Sequence, residues 1–242
     1  MQLYGLIGKT LKHSFSEAYF REKFEKENIN ARFQNFEIEI IEAFSKVIAE
    51  NPNIRGLSVT IPYKTAIIPF LDEIDPIAKE IGSVNSIRVS NGKTTGYNTD
   101  AGGFSNSIKP FLAHGMERAL ILGTGGASKA VAFALRRIGL DIVFASRTPS
   151  EGQLAYSEIN HNAIKAFKLI VNTTPLGMYP DVASFPDIPY EYLSPEHLLF
   201  DLTYNPSETA FLRKGKEKGA IVVNGLSMLK IQAELSWEIW NR

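Results

Sequence analysis

Short apolar runs alternate with amphipathic stretches along the whole chain. That alternation predicts an α/β protein with mostly parallel sheets. Leu3 to Ile7 is almost wholly apolar and predicts a short buried strand. Ser16 to Glu27 sets Ala18, Tyr19, Phe20 and Phe24 among charges, the pattern of an amphipathic helix. Arg32 to Ile38 predicts a strand, Glu42 to Glu50 a helix, and Ile54 to Ile61 a strand that stops at Pro62. Ser83 to Val89 and Thr94 to Tyr97 flank Ser90-Asn91-Gly92-Lys93, whose Asn-Gly centre predicts a tight hairpin turn.

The alternation starts again near Asp100. Ala101 to His114 predicts a helix, Arg118 to Leu122 a strand, and Ala127 to Ile138 a helix reached through glycines. Asp141 to Ala145, Leu169 to Asn172, Leu198 to Leu202 and Ala220 to Val223 predict further strands, and Met228 to Trp240 a terminal amphipathic helix. The segment 149–168 gives no assignment, and Pro180 to Pro195, rich in proline and aromatics, reads as an ordered loop. No Gly/Ser linker separates the halves, so the boundary is placed at the helix after Asp100.

Composition narrows the classes of function. The 242 residues carry 26 Lys+Arg against 26 Asp+Glu, so no basic field favours general nucleic-acid binding. A 44% hydrophobic and 21% charged composition is that of a globular chain. There are no cysteines, which excludes disulfides, thiolate metal sites and cysteine nucleophiles; four scattered histidines make no zinc site, so no metal is expected. The opening apolar stretch is too short for a signal-peptide core, and no run reaches the roughly 18 apolar residues of a spanning helix. A cytoplasmic protein without a membrane partner is expected.

Gly123-Thr124-Gly125-Gly126-Ala127-Ser128 follows an apolar strand and opens a helix, the context of a dinucleotide loop. Glycines let the backbone approach a pyrophosphate, and the helix N-terminus offers N–H groups and partial positive charge. Ser128 takes the third glycine position, where a small residue still permits close helix–strand packing. A Gly-rich turn with no ligand is the plain alternative. An NAD site carries Asp or Glu about 20 residues past the loop, on the ribose hydroxyls. Here Ala145-Ser146-Arg147-Thr148 stands there instead. The Arg147 fork and the Thr148 hydroxyl suit a 2′-phosphate, which predicts NADP rather than NAD. An exposed loop arginine is the alternative.

Three constellations lie in the first hundred residues. In His13-Ser14-Phe15-Ser16, two hydroxyls at i and i+2 can point to one side of an extended segment; structurally, Ser16, or less readily Ser14, would cap the next helix. Val59-Thr60-Ile61-Pro62-Tyr63-Lys64 is a strand that ends abruptly and delivers a lysine, which otherwise reads as a solvated strand end. Gly96-Tyr97-Asn98-Thr99-Asp100 delivers polar groups at a strand end, where Asp100 could also cap the following helix. Strand C-termini are where open α/β sheets bind ligands.

In these segments the chain resembles the shikimate dehydrogenase family. The resemblance runs through Gly8 to Ser16, Gly56 to Lys64, Ile81 to Ile87, Gly96 to Phe104, Gly123 to Ala127, Ser146 to Thr148, Asn172 to Met178, Asp201 to Thr209 and Asn224 to Ala233. It implies two α/β domains facing a cleft: a substrate domain over 1–100 with a mostly parallel sheet, and a Rossmann-type NADP domain over 101–225, with 226–242 packing back on the first. It implies reversible reduction of 3-dehydroshikimate to shikimate by NADPH, by a monomer or homodimer. By position it implies Lys64 and Asp100 as the catalytic pair, Lys64 as acid/base and Asp100 orienting it and the substrate hydroxyl. Ser14, Ser16, Thr60, Asn85, Tyr204 and Gln232 match substrate-binding residues. Gly123, Thr124, Gly125, Gly126, Ala127, Arg147 and Thr148 match the NADP site, with Thr173 and Gly225 near the nicotinamide. The chain departs from the family pattern at Thr10, Glu17, Tyr19-Phe20, Ser58 and Lys168.

Two rivals remain at this point: a quinate/shikimate paralogue, and a catalytically silent NADP-binding regulatory module. A folate-linked dehydrogenase has no support from the His-Ser-Phe-Ser segment. The Arg147 reading predicts that Arg147→Ala lowers kcat/KM selectively with NADP. Equal loss with NADP and NAD would overturn the assignment.

Overall fold

The computed structural model describes residues 1–11, 14–113 and 115–242. The chain divides into two compact units, one of Met1–Thr99 with Ala233–Arg242, the other of Asp100–Gln232.

The first unit runs β1 (Gln2–Gly8), α1 (Phe15–Lys26), β2 (Ala31–Glu37), α2 (Phe44–Glu50), β3 (Ile54–Val59), α3 (Tyr63–Ala66), β4 (Glu73–Ile74), α4 (Pro76–Ile81), β5 (Ser86–Ser90) and β6 (Lys93–Tyr97). Its six-stranded sheet has the order β2-β1-β3-β5-β6-β4. β1 pairs in parallel with β2 and β3, whereas β5 runs antiparallel to both β3 and β6. The hairpin turn forms as its residues dictate. Asn91 (φ 52°) and Gly92 (φ 76°) both take the positive φ of a type I′ turn, whose twist matches the flanking strands.

β1 is apolar from Leu3 to Ile7 because both of its faces are covered there. On one side Leu3 and Ile7 join Phe36, Leu57, Val59, Ile67 and Ile87 in a core. On the other Tyr4 joins Phe20, Phe24 and, from the chain's end, Ile239 and Trp240. Trp240 stacks on Tyr4 at a centroid distance of 5.3 Å. Gly56 must be glycine at this contact, since a Cβ there would lie 2.2 Å from the Trp240 ring.

α1 begins one residue before the expected start, and its cap is Ser14, whose Oγ accepts from the Glu17 N–H at 3.4 Å. Ser16 is therefore not the cap. It is buried as the second residue of that helix. α4 escaped the sequence reading, although Asp75 caps it, Pro76 opens it and Gly82 (φ 67°) closes it.

The second unit runs α5 (Asp100–Ile108), β7 (Arg118–Leu122), α6 (Gly126–Arg137), β8 (Asp141–Ser146), β9 (Leu154–Ala155), α7 (His161–Ala166), β10 (Leu169–Asn172), β11 (Leu198–Asp201), α8 (Ala210–Glu217), β12 (Ile221–Val223) and α9 (Leu226–Trp240). Its sheet order is β12-β11-β10-β7-β8-β9, and each pairing is parallel. This is the doubly wound dinucleotide-binding order, in which the chain reverses direction across the sheet after its third strand. α5 ends at Ile108, short of the expected limit, because Pro110 forces a 3-10 turn over Lys109–Phe111. His114 lies outside the described residues. Asp100 is the first residue of α5. β9 and α7 fill the stretch 149–168 that the sequence left unassigned. α9 starts in the second unit and finishes in the first. No helix among the described residues is long and apolar enough to cross a membrane.

Trp240→Ala should lower the unfolding free energy by about 3 kcal/mol or more, through lost burial and the cavity left behind. The urea midpoint of the variant measures it.

Candidate active site

The pairing in the first unit sends several strand ends to one edge of its sheet. β1 and β3 are parallel, so Gly8 and Val59 end side by side, and the Thr60 N–H donates to the Ile7 carbonyl at 2.9 Å. β5 is antiparallel to β3, so its start lies at that same edge, where the Val59 N–H donates to the Asn85 carbonyl at 2.8 Å. β6 returns antiparallel to β5, so Tyr97 and the Asn98–Thr99 segment end there too. The edge thus gathers Ser14 and Ser16 after β1, Thr60 and Lys64 after β3, and Asn85 before β5. His13, with Lys12, lies outside the described residues.

Local contacts fix these side chains. Tyr63 is buried and donates its hydroxyl to the Ile38 carbonyl at 2.6 Å, which anchors α3 and sets the neighbouring Lys64 on a half-buried face. The Lys64 carbonyl accepts from the Val84 N–H at 2.7 Å. Asn85 is 2% exposed. Its Nδ2 donates to Thr99 Oγ1 at 2.9 Å, and its Oδ1 accepts from the Thr99 N–H at 2.6 Å. Thr99 Oγ1 lies 3.0 Å from Ser236 Oγ, so the end of β6 is pinned just before Asp100.

In the second unit Asp100 is buried, in the first turn of α5, where a carboxylate meets the positive end of the helix. One turn on, Gly103 lets α9 come close. A Cβ there would lie 2.9 Å from the Met228 carbonyl and 3.0 Å from the Gln232 side chain. Gln232 is buried and donates Nε2 to the Leu229 carbonyl at 2.9 Å. Tyr204 is half-buried in the segment after β11.

The glycine loop leaves β7 between its neighbours β8 and β10, at the switch point of the sheet. Gly123 has φ +102°, and a Cβ would press on Thr173 Oγ1 and Thr174 Cγ2 at 3.0 Å. Gly125 faces open space, with nothing within 4 Å of a Cβ. It precedes α6, and no side chain caps that helix. Thr124 is exposed beside it, and Gly126 and Ala127 form the first turn. Ser128 is buried and donates to the Gly125 carbonyl at 2.6 Å, so its hydroxyl is satisfied in the third-glycine position. Arg147 and Thr148 are exposed directly after β8. Register sets Ser146 against Ala155. Tyr156 follows, and its phenol is raised by burial and lowered by the Arg147 charge. Bare backbone at an uncapped helix start, with an arginine at the next strand end, fits a phosphorylated dinucleotide.

The sequence reading missed Asp201. It ends β11, is fully buried, and accepts from Thr209 Oγ1 at 2.6 Å, the Thr203 N–H at 3.0 Å and Asn172 Nδ2 at 3.1 Å. Asn172 Oδ1 in turn accepts from the Thr174 N–H at 3.0 Å and Thr174 Oγ1 at 2.6 Å. Thr173 Oγ1 donates to the Leu122 carbonyl at 2.7 Å. The Gly225 N–H donates to the Thr203 carbonyl at 3.1 Å, and a Cβ at Gly225 would lie 2.0 Å from the Leu202 carbonyl oxygen. The available signal was a carboxylate closing the apolar run Leu198-Leu199-Phe200. No group of three or more His, Asp or Glu among the described residues could hold a metal ion.

The family model described as the shikimate dehydrogenase substrate binding domain matches residues 6–87. The shikimate dehydrogenase (NADP(+)) of Carboxydothermus hydrogenoformans is 39% identical over 256 residues, covering 99% of this chain and 91% of its own. The chain belongs to the shikimate dehydrogenase family. Solved members of the family share its fold. The shikimate dehydrogenase of Aquifex aeolicus superposes with a TM-score of 0.89 at 35% identity, covering 100% of this chain and 92% of that one. That of Thermus thermophilus, in complex with NADP(H) and shikimate, gives 0.88 at 33% identity, covering 99% and 93%.

In this shikimate dehydrogenase family member, burial raises the Asp201 carboxyl against the bonds from Thr209, Thr203 and Asn172 that lower it. Folding therefore favours the protonated form. That contribution is present below the unfolded value of 3.8 and is lost as pH rises through the higher folded value. Asp201→Asn does not ionise. Its stability relative to the wild type should improve as pH rises from about 4. Chemical denaturation along a pH series measures it, and a difference that does not move with pH would contradict the burial argument.

Proposed function

We propose that the protein is an NADP-dependent oxidoreductase that interconverts 3-dehydroshikimate and shikimate. The observation that carries this is the single sheet edge on which Ser14, Ser16, Thr60, Lys64 and Asn85 converge. Family membership over the full chain length supports it. The first unit then serves as the substrate domain and the second as the NADP domain.

The substrate is a ring bearing hydroxyls and a carboxylate. Ser14, Ser16, Thr60, Asn85, Tyr204 and Gln232 offer hydrogen bonds without net charge. A site that bonds each hydroxyl rejects analogues lacking one, since its own buried groups would be left unpaired. The backbone from Gly123 to Ala127 would hold the cofactor's pyrophosphate. Arg147 and Thr148 would hold its 2′-phosphate, and the segments around Thr173 and Gly225 would border the nicotinamide.

NADPH, when bound, supplies the hydride for the ketone carbon. As the C=O bond breaks, negative charge grows on the carbonyl oxygen. The Lys64 ammonium stabilises that charge and transfers a proton to the oxygen, which completes the alcohol. Asp100 accepts a hydrogen bond from the same hydroxyl and fixes its direction. In the reverse direction neutral Lys64 takes the hydroxyl proton as hydride leaves the carbon. Ketone, hydride and proton together account for every atom of shikimate.

Purified protein should form NADPH from shikimate, faster than from quinate and faster than with NAD. Lys64→Ala should lower kcat by about 10²–10⁴-fold with a modest change in KM. Initial rates measure both. A Lys64→Ala enzyme with near-normal kcat would remove the lysine from this role. Tight NADP binding with no turnover on shikimate would contradict the activity.

A further inference from the structure

We propose that Asp201 is a positioning residue that sets the shape of the nicotinamide end of the cofactor site. The inference rests on the NADP reading above. A doubly wound sheet consists of two mononucleotide-binding halves. Here the first half, β7 to β9, carries the glycine loop and Arg147, the groups suited to the pyrophosphate and the 2′-phosphate. The second half, β10 to β12, is left to the other nucleotide, the one that ends in nicotinamide. Asp201 sits where β11 ends, beside the end of β10, with Asn172 paired to it in register.

An ionised carboxylate only accepts hydrogen bonds, and each of the three partners named for Asp201 donates one. The two bonds from Asn172 Nδ2, to Asp201 at 3.1 Å and to the Leu176 carbonyl at 3.4 Å, set which way that amide faces. With Nδ2 turned to Asp201, Oδ1 faces the Thr174 N–H and hydroxyl and accepts from both. The flipped amide would set a donor against the Thr174 N–H and lose the bond to Asp201. Asp201, the closer of those two partners, thereby helps turn the Asn172 oxygen toward Thr174, and through Asn172 it ties down the segment from Thr173 to Leu176. Through Thr203 it holds a second segment. The Thr203 N–H donates to Asp201, and the Thr203 carbonyl accepts from Gly225. Both segments expected to border the nicotinamide therefore hang on one carboxylate. That carboxylate is itself fully buried and acts through its neighbours.

Asp201 also receives the hydroxyl of Thr209, the residue that caps α8, so a purely structural role must be told apart. Two ligands do this. NADPH spans both halves of the site. Adenosine 2′,5′-bisphosphate has the 2′-phosphate but no nicotinamide. Both are titrated calorimetrically into the wild type and Asp201→Ala, with Asp201→Asn and Asn172→Ala alongside in case the alanine variant does not fold. The variants should bind NADPH about tenfold or more weakly, a loss of about 1.4 kcal/mol, and bind the bisphosphate within about twofold of the wild type. Equal weakening of both ligands, or no weakening of either, would overturn the positioning role while leaving the cofactor reading intact. A wild type that fails to bind the bisphosphate would overturn the cofactor reading, and this inference with it.

Discussion

Parallel pairing makes strand ends coincide, and both units rest on that constraint. In a parallel sheet every C-terminus points the same way, so the peptide groups and loops at that edge gather without further design. The second unit adds a reversal of direction between β7 and β10, so two connections part and leave the glycine loop between them. The first unit reaches a similar gathering by another route. Its antiparallel β5 contributes a start instead of an end, which is how Asn85 arrives next to Val59.

The two edges solve different electrostatic problems. Anionic phosphates are met by backbone N–H groups, a helix start and one guanidinium. A hydroxylated ring is met by neutral hydroxyls and amides, with charge concentrated on one lysine and one aspartate. Asp201 belongs to neither class. It is a charged group used as scaffolding, and burial makes such a group costly unless its bonds are complete. Here three donors meet it.

Much of this was legible because long apolar runs have one outcome. Leu169 to Asn172 and Arg118 to Leu122 form strands at the bounds read from the sequence. The Asn91-Gly92 turn was equally plain, since its backbone needs residues that tolerate positive φ. What stayed hidden was short or paired at long range. α3, β4 and β9 span two to four residues and carry no period to detect. The cap was left open between Ser16 and, less readily, Ser14 because either hydroxyl satisfies the local rule, and only the folded turn chooses Ser14. Asp201 opens one of the matching segments but drew no role of its own, because its partner Asn172 lies 29 residues away in sequence and only the fold brings the two together.

The terminal helix carries a consequence for how the protein is made. Residues Ala233–Arg242 belong to the first unit, yet they leave the ribosome after all of the second. Tyr4, Phe20 and Phe24 must wait for Trp240 until the whole of the second unit has been made. The first unit therefore closes its aromatic core only after the chain of the second has been made.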